Sequence, residues 1–157
     1  MEKPESRLEK YAFLRLYEHD FEMALHTLKV LRRCRNNEVR YALLRDIIIT
    51  YCRPFTESKG KEIKKHHFGF SKFESESMGN LHKKIIGLRN SLFAHTDLSF
   101  KNPQIANWST NEKKWFPMSF TGFDYVQLDN ETLEIESLIK YSKKRLLEKI
   151  QEFENSF

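Results

Sequence analysis

The sequence predicts an all-α fold: a bundle of four to five helices with an irregular or short β-hairpin insertion before the last helix. Three observations lead there. Long segments carry apolar residues at helical spacing. Glycine and proline number only 5 and 4 in 157 residues, so breaks are few. Residues 98–128 are the exception, with Pro103, Pro117, Gly122 and a polar turn interrupting the periodicity.

The first helical region spans about Glu5 to Arg33, on a stripe of Leu8, Tyr11, Leu14, Tyr17, Phe21, Leu25, Leu28 and Leu31. Asp20 is a candidate N-cap, so a break near His19-Asp20 is one reading. A second helix is predicted over Asn37 to Tyr51, capped by Asn36 or Asn37 and ended by Pro54. Its residues Val39, Ala42, Leu43, Leu44, Ile47, Ile48 and Tyr51 leave little polar face, which places it centrally in the core.

Residues 54–76 form the most basic connection, with Lys59, Lys61, Lys64, Lys65, His66, His67 and Lys72 interleaved by Phe68, Phe70 and Phe73. Such a mixture can contact single-stranded RNA by charge and stacking. It equally describes a surface loop whose phenylalanines pin it to the core, and this reading is preferred. The third helix runs from about Ser77 to Ala94 on a stripe of Leu81, Ile85, Leu88 and Leu92, with Arg89 at the stripe's edge. In the insertion, Trp108 and Trp115-Phe116 flank the Ser109-Thr110-Asn111 turn, which suggests a hairpin. The last helix opens at Asp129 or Asn130 and reaches about Glu154, on Ile135, Leu138, Ile139, Leu146, Ile150 and Phe153. Glu131 and Glu134 stand early in it, and Lys143, Lys144, Arg145 and Lys149 late, as the helix dipole prefers.

The length suits one domain over 1–157 with a core of its own. Apolar residues at 39% and charged residues at 31% fit a globular protein rather than a disordered one. A net charge of +5 and a pI near 9.1 fit an anionic partner, and fit a merely solvated surface equally well. Cys34 and Cys52 match no metal or redox spacing and read as reduced thiols of a cytosolic, cytoplasmic protein. The segment MEKPESRLEK has no apolar signal core, and the longest apolar run, Ile47-Ile48-Ile49, is far too short for a membrane span. His66-His67 lacks a third ligand at a convincing spacing, so neither metal nor cofactor is expected. His26 and His82 read as structural or exposed, with His82 also a secondary candidate for lining a cleft, since it precedes Arg89 by seven residues.

The most chemically pointed string is Leu88-Arg89-Asn90-Ser91-Leu92-Phe93-Ala94-His95-Thr96-Asp97. An arginine, an amide and a histidine within two turns can grip a phosphate, orient a hydroxyl and move a proton near neutral pH. On a continuous α-helix Arg89 and His95 stand about 120° apart, flanking a surface rather than stacking. They reach one phosphate if the helix frays after Ala94, or if two copies meet across a two-fold axis. With ten arginines and six histidines in the chain, the bare spacing arises easily by chance. Asp97 orients His95 or caps the chain as it leaves the helix, and the cap is favoured.

The whole string closely resembles the signature of the HEPN superfamily, Arg-X(4–6)-His, commonly with a polar residue after the arginine. Arg89, Asn90 and His95 match it, with five residues between the first and the last. More loosely, Ala42-Leu43-Leu44-Arg45-Asp46-Ile47 with Tyr51-Cys52-Arg53-Pro54-Phe55 resembles abortive-infection proteins of the AbiU/AbiV type. The resemblance implies a metal-independent endoribonuclease that builds a composite site as a homodimer, in prokaryotic defence or a toxin–antitoxin system with an antitoxin protein as a further partner. It implies that His95 acts as general base on a ribose 2′-OH or as acid on the leaving group, that Arg89 holds the scissile phosphate, and that Asn90 orients the phosphate or His95. Lys61, Lys64 and Lys65, with Lys83 and Lys84 of the third helix, are the candidate RNA contacts. The alternative is a non-catalytic HEPN-like module that binds RNA or protein and dimerises.

Overall fold

The computed structural model describes residues 3–93 and 101–156. It is an all-α bundle with a short β-hairpin inserted before the last two helices. Helix α1 (Pro4–Arg33) is one unbroken rod of 30 residues, about 45 Å long. Pro4 opens it, where a missing N–H costs nothing. No break occurs at His19-Asp20. Tyr17, Phe21 and Ala24 carry the buried stripe straight through, and the Asp20 carboxylate, instead of capping, accepts from Arg53 at 3.3 Å.

Helix α2 (Asn37–Cys52) is capped by Asn36, whose side chain accepts from the Val39 N–H at 3.1 Å. Its second half supplies the centre of the core, with Leu44, Ile47, Ile48, Tyr51 and Cys52 fully buried. Its first half lies at the rim, where Val39 stays exposed. A 3-10 turn over Arg53–Phe55, containing Pro54, ends it. Helix α3 (Glu76–Leu88) starts one residue before the expected position because Ser75 caps it, accepting from Met78 N–H. Only Ile85 of its stripe is fully buried, so α3 packs on the edge of the bundle. It passes into a π-helical turn over Arg89–Phe93. The expected helix end at Ala94 lies outside the described residues.

Strands β1 (Gln104–Ile105) and β2 (Met118–Ser119) pair antiparallel, Gln104 opposite Ser119 and Ile105 opposite Met118. The register continues towards the tip. Ala106 N–H donates to Pro117 O, Trp108 N–H to Trp115 O and Thr110 N–H to Lys113 O. The tip is Asn111-Glu112, slightly beyond the expected turn, because the Thr110 hydroxyl accepts from the Glu112 and Lys113 N–H groups and closes it there. At the base Asn102 has a φ of 42°, a left-handed conformation that asparagine tolerates.

The last helical region is also divided. Helix α4 (Tyr125–Asn130) is capped by Asp124, and α5 (Thr132–Glu154) follows after Glu131. Asp129, read as a helix opener, instead forms a fork with Arg40 of α2. Arg40 also donates to the Leu31 and Cys34 carbonyls at the end of α1, at 2.7 and 2.8 Å. One guanidinium thus satisfies the open end of α1 and ties it to α2 and α4. Helix α1 packs most extensively on α2 and α5, and α3 closes one side. Each buried aliphatic or aromatic side chain contributes roughly 1.5–3 kcal/mol, so these three long helices dominate the stability. Among the described residues no helix is long and apolar enough to cross a membrane.

Candidate functional site

Arg89 and Asn90 open the π-helical turn that continues α3. Single π turns inserted at α-helices recur at functional sites, because the wider ring re-aims the side chains it carries. Leu88 and Phe93, at the two ends of this turn, pack against the core. The Phe93 ring meets Phe123 edge-on at 5.8 Å and stacks with Tyr125 at 6.3 Å, and Tyr125 stacks on Tyr41 of α2 at 4.8 Å. The turn is therefore clamped between α2 and the chain that leaves the hairpin.

Arg89 Nη1 donates to Asn90 Oδ1 at 2.9 Å. This contact orients one end of the guanidinium, and among the described residues the Asn90 amide N–H groups meet no acceptor. Arg89 is half-buried and Asn90 exposed. Among the described residues no carboxylate pairs with Arg89, in contrast to Arg40, Arg53 and Arg32, which meet Asp129, Asp20 and Glu136. Its charge is felt at Cys52. Burial pushes that thiol up to about 12, and the guanidinium pulls weakly the other way. A cation that meets no carboxylate among the described residues, beside an amide donor, is suited to an oxyanion. His95, Thr96 and Asp97 lie outside the described residues.

His82 does not line a cleft with Arg89. Its Nδ1 bonds the Tyr51 hydroxyl at 2.8 Å, and its ring lies between Phe55 at 4.7 Å and Phe73 at 5.0 Å. Burial holds it below the ordinary imidazole range, which favours the neutral ring, and its contacts are those of a structural side chain. His66 is similar, stacked on Phe13 at 4.8 Å and bonded to Tyr17, with burial again lowering its pKa. Among the described residues no group of three or more His, Cys, Asp or Glu is arranged around a metal position.

The candidate RNA-contacting lysines fall into two groups with different neighbours. Lys61, Lys64 and Lys65 stand on a loop that wraps α1. There the Glu9 carboxylate accepts from the backbone N–H groups of Lys61, Glu62 and Ile63, and Lys65 pairs with Glu57. Phe68 is buried, and Phe70 and Phe73 pack on the core, so the phenylalanines of this connection act as pins. Of the second group, Lys84 is held by both oxygens of Glu131 at 2.6 and 2.7 Å. Lys83 lines an open depression of about 470 Å³ with Lys72, Phe73 and Asn80. A larger groove of about 720 Å³ runs between α3 and α5, lined by Met78, Leu81, Lys84, Glu131 and Leu133. Neither Arg89 nor Asn90 lines either hollow.

The hairpin carries an exposed apolar surface that no residue pattern in the sequence signals. Ile105, Trp108, Trp115, Phe116, Met118 and Phe120 are each 57–70% exposed, and all six lie on the hairpin. The tryptophans marked the hairpin, but aromatic residues in strands ordinarily signal burial, so their exposure was not legible. In comparisons with protein-family models, curated proteins and solved structures, nothing matches this chain.

Proposed function

We propose that this chain is a metal-independent endoribonuclease of the HEPN type, working as a homodimer in a prokaryotic defence or toxin–antitoxin setting. The observation that carries the reading is the state of Arg89. It is held by Asn90 on a π-helical turn, and no carboxylate among the described residues neutralises it. In this reading the ribose 2′-oxygen attacks phosphorus and the bond to the 5′-oxygen breaks. His95 takes the 2′-OH proton or supplies one to the departing oxygen. The Arg89 fork and the Asn90 amide carry the charge that develops on the phosphoryl oxygens. The products are a 2′,3′-cyclic phosphate and a 5′-hydroxyl. DNA is spared because it lacks the nucleophile.

The test is cleavage of single-stranded RNA by purified protein in excess EDTA. Wild type cleaves, His95→Ala abolishes cleavage with the oligomeric state intact, and Arg89→Ala lowers the rate roughly 10²–10³-fold, as the loss of an oxyanion donor does. Equal behaviour of wild type and both variants refutes catalysis and leaves a non-catalytic binding and dimerisation module.

A further inference from the structure

From the hairpin we infer a second site, independent of whether the chain cuts RNA: a stacking platform for single-stranded nucleic acid. The ribbon has an unusual surface. A two-stranded hairpin is marginal in water unless one face is covered, yet residues 104–116 are all exposed. The Trp108 N–H bond to Trp115 O, at 3.0 Å, sets the two indoles opposite each other. Because side chains alternate along a strand, Lys113 shares their face. Ile105, Phe116, Met118 and Phe120 lie on the other face, together with Lys114. Lys101 Nζ sits 5.4 Å from the centre of the Phe120 ring. One face therefore offers two aromatic rings and one lysine, the other two rings and two lysines.

Charge selects the occupant. Between Lys101 and Gly122 three lysines stand against one acid, Glu112, so the segment supplies +2 of the chain's net +5. Lysines beside exposed rings suit a phosphate backbone whose bases are unpaired and can stack. A duplex hides those base faces, so it fits the ribbon poorly. The ribbon returns to the fold through Phe123 and Tyr125, which clamp Phe93 of the Arg89–Phe93 turn. The base of the platform thus joins the segment that carries Arg89 and Asn90.

The chain's two tryptophans are both on the platform, so intrinsic tryptophan emission reports this site alone. The experiment titrates full-length His95→Ala protein with oligouridylate and oligoadenylate of about twelve nucleotides, the deoxy oligomers of the same sequences, and a duplex. Stacking predicts quenching by all four single strands and none by the duplex, with affinity falling steeply as salt rises. Trp108→Ala and Trp115→Ala, each followed on the remaining indole, weaken binding on the order of tenfold. Trp108→Phe and Trp115→Phe retain most of it, and Lys113→Ala/Lys114→Ala reduces it and its salt dependence. Far-UV circular dichroism checks that each variant keeps its helices.

Absence of quenching at low salt overturns the proposal, as does quenching unchanged in the alanine variants. Emission that is already blue-shifted and tracks self-association also overturns it and makes the hairpin a contact between copies. A shift seen only with anionic lipid vesicles overturns it in favour of a membrane surface. Quenching without cleavage by the wild type leaves the platform standing and removes the nuclease.

Discussion

Replacing Arg40 by alanine removes four hydrogen bonds that join three helices. Two satisfy the carbonyls of Leu31 and Cys34 at the end of α1, and two form the fork with Asp129 of α4. Hydrogen bonds to charged groups contribute about 1.5–3 kcal/mol each. The side chains of Arg40 and Asp129 are 21% and 24% exposed, so water takes over part of each loss. The four bonds also share one guanidinium and do not add independently. The expected cost is about 3 kcal/mol, at the lower edge of what breaking a buried ion pair costs. For a chain of this size that lowers Tm by about 6–12 °C, at roughly 2–4 °C per kcal/mol. Arg40→Lys keeps the charge but loses the fork, and falls about midway. The assay is urea denaturation followed by far-UV circular dichroism, with a double-mutant cycle against Asp129→Asn. A cost below about 1 kcal/mol, or a lysine variant as stable as wild type, refutes Arg40 as the clamp.

Three further outcomes follow from buried or captured groups. Burial depresses His66 and His82. The folded state therefore prefers them neutral, and stability is complete above their unfolded pKa of about 6.5 and falls as pH drops below it. The urea midpoint should decline through that window, less so in His82→Gln, and a flat profile there excludes the effect. Burial tends to raise the Glu9 carboxyl, but three backbone N–H donors outweigh it and hold it low. Glu9→Gln should expose the 59–65 loop to trypsin several-fold faster, and an unchanged cleavage rate would mean that the loop is held by other contacts. Cys34 is half-exposed while Cys52 is buried, its thiol pushed up to about 12. A maleimide should label one thiol quickly and the second only in denaturant, and fast double labelling would show that the α2 end opens.

The helices were legible because periodicity reports burial directly. The stripes of α1 and α5 reappear as Leu14, Phe21 and Leu28, and as Ile135, Leu138 and Leu146, in the core. Partnerships were not legible. Asp20 and Asp129 look like caps in sequence, yet their carboxylates meet Arg53 and Arg40, residues 33 and 89 positions away. The motif was only half legible. Its residue types mark Arg89 and Asn90, but no local signal distinguishes the π turn from the α-helix it extends, whose ends Leu88 and Phe93 pack on the core.

That turn changes how rotation must be counted along the chain. A uniform helix advances about 100° per residue, and a ring closed five residues apart rather than four holds one residue more. The 120° drawn between Arg89 and His95 on an ideal wheel therefore does not carry past Leu88. Deleting Ser91 would let the α-helical ring close, because four residues at about 100° each turn nearly as far as the five that the wider ring holds, and both motif side chains stay intact. A deletion variant that keeps its helices but loses function would separate the aim of the motif from its composition, which no side-chain substitution can do.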